Sequence, residues 1–433
     1  MSITPYRFTA LFSGVLLATC SAAASAAVDE KLLDMLKANG SITPAQYAEL
    51  RSDLQQEQQA RAAQVAQQQK TSDFEKKLAW AAKTQIKGDV RVRHESIDIA
   101  GEPDNGRDRD RQRIRARLGA YSEINPQADA GIRIATGGGD DARSTNQDLN
   151  NYFNKKQIWL DLAYIDYHPT ALPNLHLVGG KMAQQWVSTG DVIWDGDINP
   201  EGLAGTYKYD LGGGAELFGS TGYYVLKDNV DGEGYEFKHD LRLVAGQLGS
   251  RFKLGDAAKL MVGGSVYTYD NDKDSTCPST GATSPCALAA NGNTTNRFQL
   301  YEGFAQLDLT KLWVPLSFYG QYVVNDKADD GQDTADGQDT AWLVGAKTKL
   351  MQRVSLDYNY RDVQRNAVVG AFTDSDFGNG STGARGHKLK LGYDIDKNFG
   401  VGLTYFLANS DTATRFRRDA DVKTLQLDLE AKF

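Results

Sequence analysis

The chain has 433 residues and a net charge of −8, an acidic balance that excludes a general phosphate-binding role on nucleic acid. Glycine (43) and tyrosine (20) are abundant and proline (10) is scarce. After residue 27 no apolar run approaches the roughly 20 residues of a membrane helix, which excludes a helical membrane protein but not a β-barrel, whose strands need an apolar residue only at every second position.

Residues 1–27 read as a signal peptide: Arg7 supplies the positive start, FTALFSGVLLATC the apolar centre, and the small residues Ala24 to Ala27 a cleavage site. LATC, ending at Cys20, also has a lipoprotein reading, which the threonine before the cysteine disfavours. Residues 28–83 are rich in Ala, Gln, Glu and Leu, a helix composition. Asn39-Gly40 ends a first short helix, and Ser41 or Thr43, followed by Pro44, starts a second. Apolar positions thin out after Leu54, so this segment is either a weak coiled coil between subunits or a solvated, periplasmic spacer.

From Thr84 the period changes to two. Arginine fills every second position from Arg107 to Arg117, with Ile114, Ala116 and Leu118 between, so one face of this strand is basic and the other apolar. Such a strand suits a nucleic-acid-binding sheet, a soluble sandwich or a barrel wall. About sixteen alternating segments follow one another to the C-terminus, where Leu425, Leu427, Leu429, Ala431 and Phe433 share a face. Short links (125–127, 169–173, 211–214, 254–257, 310–311, 350–351, 396–397) alternate with long polar ones (138–155, 183–201, 227–240, 271–296, 325–339, 366–384, 409–420). A soluble sandwich has no reason to keep its long loops at one end; an outer-membrane barrel has tight periplasmic turns and long outer loops. The predicted fold is therefore all-β: a transmembrane antiparallel up-and-down barrel of about 16 strands over 84–433, behind a signal peptide (1–27) and a helical segment (28–83).

GDVRVRHE, the arginine strand, NKKQIWLDLAYIDYHP and VGGKM resemble the family of putative porins of proteobacterial outer membranes. The resemblance spans Thr84 to Phe433 and implies passive transport without naming a solute. It implies a homotrimer among outer-membrane lipid and lipopolysaccharide, with small hydrophilic solutes or ions passing through. Phe433 resembles the sorting signal read by the barrel-assembly machinery. The alternative reading is an outer-membrane adhesion or envelope-tethering barrel protein.

Catalytic signals are sparse. The five histidines are dispersed, no GxSxG elbow or phosphate loop occurs, and DNDKDS (270–275) lacks the glycine and glutamate of a calcium loop. No catalysis, metal or cofactor is expected; a barrel lipase would need a Ser-His pair on neighbouring strands. Cys277 and Cys286, in a turn-rich loop of an exported chain, are expected to form a disulfide.

Two features point to a pore. Residues 184–202 mix Trp186, Val192, Ile193 and Trp194 with Asp191, Asp195, Asp197 and Glu201, a composition suited to a loop folded back into the barrel as a constriction. A subunit contact is the alternative. Arg113, Arg115 and Arg117 must avoid lipid, and Arg91, Arg93 and Arg133 share their inward parity, giving a basic wall over three strands. Ion pairing with Asp89, Glu95, Glu123 and Asp129 would neutralise part of it. The expectation is a weak anion preference, with the acidic segment opposite the arginines.

Overall fold

The computed structural model describes residues 30–100, 108–139, 141–229, 234–270, 290–328, 338–412 and 419–433. The signal peptide, Arg107 and the expected Cys277–Cys286 pair lie outside the described residues. The chain divides into two compact units, Met1–Ala82 and Lys83–Phe433.

In the first unit, helix α1 (30–38) stops at Gly40, whose φ of 68° is open to glycine. Helix α2 (Pro44–Ala82) starts with a reciprocal cap. The Gln46 N–H donates to Thr43 Oγ1 at 3.3 Å while the Thr43 N–H donates to Gln46 Oε1 at 3.0 Å. This capping box settles the start on Thr43, with Pro44 at the first helical position, where its missing N–H costs nothing. The Tyr47 hydroxyl donates to Asp34 at 2.7 Å and Lys37 lies over the Tyr47 ring, joining the two helices.

The second unit is a closed antiparallel barrel of 16 wall strands. They are β1 (Thr84–Ile99), β2 (Arg109–Asn125), β3 (Ala128–Thr136), β5 (Ile158–Tyr167), β6 (Leu175–Lys181), β7 (Glu201–Gly212), β8 (Ala215–Lys227), β9 (Leu241–Leu254), β10 (Ala258–Asp270), β11 (Gln299–Leu309), β12 (Leu316–Asn325), β13 (Thr340–Leu350), β14 (Val354–Val363), β15 (Ala384–Asp394), β16 (Phe399–Ser410) and β17 (Ala420–Lys432). A two-residue strand, β4 (Gln147–Asp148), lies in the β3–β5 link and pairs with β2 beyond the end of β3. Each wall strand pairs with its sequence neighbours, and β1 closes the ring against β17 over eleven residues.

Alternation sets which face each residue takes. On β1, Val90 and Val92 are exposed outside while Asp89, Arg93 and Glu95 are buried inside. The opposite register would put arginines on lipid, at about 2–4 kcal/mol each near the bilayer midplane. Phe433 is exposed and bonds both ways with Gly88: each N–H donates to the other's carbonyl, at 3.0 and 2.9 Å. Its ring lies where a Gly88 Cβ would stand (2.5 Å), so this position on β1 admits no side chain without a shift.

Candidate functional site

Three adjoining strands carry most of the interior charge. The register sets Arg93 opposite both Arg113 and Asp428, Arg91 opposite Arg115 and Glu430, and Asp89 opposite Arg117. Like charges directly opposite one another destabilise a sheet, and here carboxylates on the flanking positions relieve them. Arg93 makes a two-point contact with Asp428 at 2.7 and 2.9 Å. Arg115 donates to Asp89 at 2.9 Å and Glu430 at 2.6 Å, and Arg117 donates to the other Asp89 oxygen at 2.8 Å. Arg111 pairs with the fully buried Glu95, and Arg133 with Asp161 at 2.5 Å. Arg113 lies 2.9 Å from Asp148 and 3.5 Å from Glu95. Asp148 reaches this row because β4 pairs its backbone with Arg113. Arg91 is the least compensated: its nearest carboxylate, Asp428, is 3.9 Å away, and it donates to Asn146 at 2.7 Å.

The link between β6 and β7 crosses the bore. Val187 exchanges hydrogen bonds with Gln247 on β9 (2.7 and 2.9 Å), Asp191 lies 3.2 Å from Lys388 on β15, and Asp197 lies 3.5 Å from Arg117 on β2. Strands so far apart around the ring are reached together only through the interior. The link is anchored by apolar packing: Trp186 stands edge-on to Tyr224 (5.6 Å) and Tyr267 (5.7 Å), and Trp194 stacks on Phe372 at 5.3 Å. Trp186, Val192, Ile193 and Trp194 are all buried in one cluster with the inner faces of β8 to β14.

A second inward link, 364–383, runs beside the first. Asp195 donates its N–H to Phe372 O at 2.7 Å, Asp374 to Asp191 O at 3.1 Å, and the Thr373 hydroxyl to Val192 O at 2.7 Å. Arg143, from the β3–β5 link, donates to the carbonyls of Gly370 and Gly380 at 3.0 and 2.9 Å. Burial, reinforced by the nearby Asp374 carboxylate, pushes the Asp195 carboxyl up to about 8.

The family model for putative porins matches residues 101–305 and 297–433. The chain belongs to the putative porin family. With its barrel fold, this membership makes it an outer-membrane channel protein. Among solved structures, the porin is similar to the high-pH structure of Pseudomonas putida OprB, at 13% identity and a TM-score of 0.53 over 83% of this chain and 96% of that one. A Salmonella typhi OmpF complex with daunomycin aligns at 11% identity and a TM-score of 0.49, over 81% and 97%. A curated relative, phosphate starvation-inducible protein 1 of Pseudomonas fluorescens, is 56% identical over 41 residues, 10% of this chain and all of that sequence.

Of the carboxylates singled out in residues 184–202, Asp197 reaches the arginine row of the porin. Asp191 turns to Lys388, Asp195 accepts the N–H groups of Asp197 and Ser375, and the exposed Glu201 opens β7 and pairs with Lys181 at 2.7 Å. Asp89 and Glu95 join the row, whereas Glu123 pairs with Lys83 and Asp129 with His168. Sequence reading passed over Asp428 and Glu430, although the TLQLDLEAKF alternation gave them inward parity. It also passed over Asp148 and the buried group of Arg361, Asp374 and Lys388, in which Arg361 holds Asp374 at 2.9 Å. Nothing local in the sequence marks that group, because its members meet only when the 364–383 link turns inward.

Proposed function

We propose that this porin is a water-filled channel for passive diffusion of small hydrophilic solutes, with a weak preference for anions. One observation carries the reading: the links 182–200 and 364–383 lie inside the barrel against one wall and leave a charged wall facing them. The anion preference rests on the least compensated cations. Arg91 has no carboxylate closer than 3.9 Å, and Lys390, exposed on the inner face of β15, has no ion pair or hydrogen bond among the described residues. The remaining arginines are matched by carboxylates, which limits the preference to a weak one.

The same proposal places the helical segment in the periplasm, after removal of the signal peptide, and makes the assembly a homotrimer. Strand β6 has seven residues, about 23 Å along the strand and roughly 16 Å of height at a 45° tilt, less than the roughly 25 Å apolar band of a barrel. Its flank exposes Ile132, Ile158, Leu160, Ile165 and Leu203. A wall this low and this apolar is suited to cover by another subunit.

The test is reconstitution in planar bilayers with a salt gradient. Discrete conductance steps and a zero-current potential of anion sign are expected. Arg113→Ser with Arg115→Ser should move that potential toward cations. Folded protein without conductance steps would exclude the channel, and a cation-selective native channel would exclude the anion preference.

A further inference from the structure

At the short-turn end of the barrel the inner face carries a row of carboxylates. The register sets Glu123 on β2 opposite Asp129 on β3, and Asp129 opposite Asp166 on β5. Like charges directly opposite one another destabilise a sheet unless something neutralises them. Lys83 neutralises the first, 2.6 Å from Glu123. Asp129 and Asp166 have no lysine or arginine partner among the described residues; each is paired instead with an imidazole. His168 Nε2 lies 3.4 Å from Asp129, and His176 Nδ1 lies 3.1 and 2.8 Å from the two oxygens of Asp166. The two rings stand 5.6 Å apart between centroids.

The surrounding elements offer these carboxylates no other counter-charge. Arg133, further along β3, is held by Asp161 at 2.5 Å, and Lys87 on β1 lies over the Tyr121 ring. Tyr121 and Tyr164 border the row, and phenols carry no charge at neutral pH. On β7 Thr206 stands opposite His176, and beyond it Lys208 and Asp210 carry opposite charges. The Asp129 and His176 side chains are open to the lumen. Short turns face the periplasm in an outer-membrane barrel, so periplasmic water reaches both pairs.

We infer that the Asp129–His168 and Asp166–His176 pairs form a proton-operated charge collar at the periplasmic mouth, through which pH sets the ion preference of the pore. The inference rests on the channel reading and adds its regulation. With both imidazoles neutral, the two carboxylates leave the mouth negative and draw cations to it. When each imidazole takes up a proton, both pairs become neutral overall. The positive charge deeper in the bore, at Arg91 and Lys390, is then unopposed at the exit. Histidine is the side chain whose charge changes between pH 5 and 8, a range in which ordinary carboxylates stay ionised. Acidification of the periplasm therefore favours anion passage, and a rise in pH opposes it.

The experiment measures the zero-current potential of native porin and of His168→Gln/His176→Gln in a salt gradient from pH 8 to pH 5. A chelator is present so that no metal ion takes the place of the protons. At pH 8 the two proteins should coincide. As the pH falls, native porin should shift toward anions further than the double variant. A shift carried by Asp195 is common to both, so the difference between them reads the histidines alone. Asp129→Asn/Asp166→Asn should be displaced toward anions already at pH 8. Parallel pH curves for native porin and the histidine variant would overturn the inference, as would an undisplaced carboxylate variant. NMR of ring-labelled histidine supplies a readout that needs no current. The two ring signals missing from the double variant should report proton uptake between pH 8 and pH 5. Rings that stay neutral throughout would overturn the inference whether or not the barrel conducts. Absence of conductance from every sample is a separate result: it would refute the channel and, with it, any effect on ion preference.

Discussion

The two sides of the bore solve opposite problems with the same strand alternation. Along β17, β1, β2 and β3 the inner positions are charged and held by ion pairs between neighbouring strands. Along β8 to β14 the inner positions are largely aromatic and aliphatic and bury the tryptophans of an inward link. Apolar burial fixes where the inward link lies, because it is worth most where water is fully excluded. Paired charge fixes how the facing wall is held, because two-point, charge-assisted bonds give each guanidinium a defined position. The inward links touch the charged side through few groups, Asp197 and Asp376 among them.

The strongest way to break this contrast is on the apolar side. Trp194→Ala should cost about 3–5 kcal/mol of docking and packing energy, release the 182–200 link, and raise single-channel conductance with added noise. An unchanged conductance would show that hydrogen bonds, and not the tryptophans, hold the link.

On the charged side, Glu95→Gln removes the buried partner shared by Arg111, Arg113 and Arg93. The expected loss is roughly 3 kcal/mol, the lower end for breaking a buried pair, because the amide still accepts a hydrogen bond. Thermal unfolding should report the loss, and the zero-current potential should move toward anions while conductance changes little. A conductance change as large as that of Trp194→Ala would mean the two sides are not separate devices.

A further effect is expected from pH. Asp195 has its carboxyl raised to about 8 in the docked link, against about 3.9 for a free aspartate. The docked state therefore holds the proton more tightly, and docking is strongest below about pH 4, weakens as pH rises toward 8, and is constant above that. The midpoint for thermal release of the link should fall steadily from pH 5 to pH 8. Asp195→Asn should flatten that slope; a slope that survives the substitution would assign it to another group.

Much of this was legible in the chain. Period-two alternation and the regular exchange of short and long links reported a barrel of about sixteen strands, and the RIRARL parity put Arg113, Arg115 and Arg117 on one face. What the sequence could not report is which carboxylate meets which arginine. Asp428 and Glu430 lie more than 300 residues from Arg93 and Arg115 and face them only through ring closure. Asp148 depends on a two-residue strand too short to leave a period. The turning of Asp191 toward Lys388, and of Asp195 toward the backbone of 364–383, depends on two links packing together, which no pattern within either one contains.

Ring closure has a consequence for how the molecule is made. The pairs Arg93–Asp428 and Arg115–Glu430 join positions 335 and 315 residues apart, so they form only when the last strand meets the first. Contacts of such separation are the slowest to form, since the ordering of the intervening chain must precede them. Until then β1 and β2 carry arginines without these partners, an open edge poorly suited to lipid. The seam thus works as a completion check: a chain lacking β17 keeps unpaired strand edges and uncompensated charge together, and both disappear in the single step that shuts the barrel.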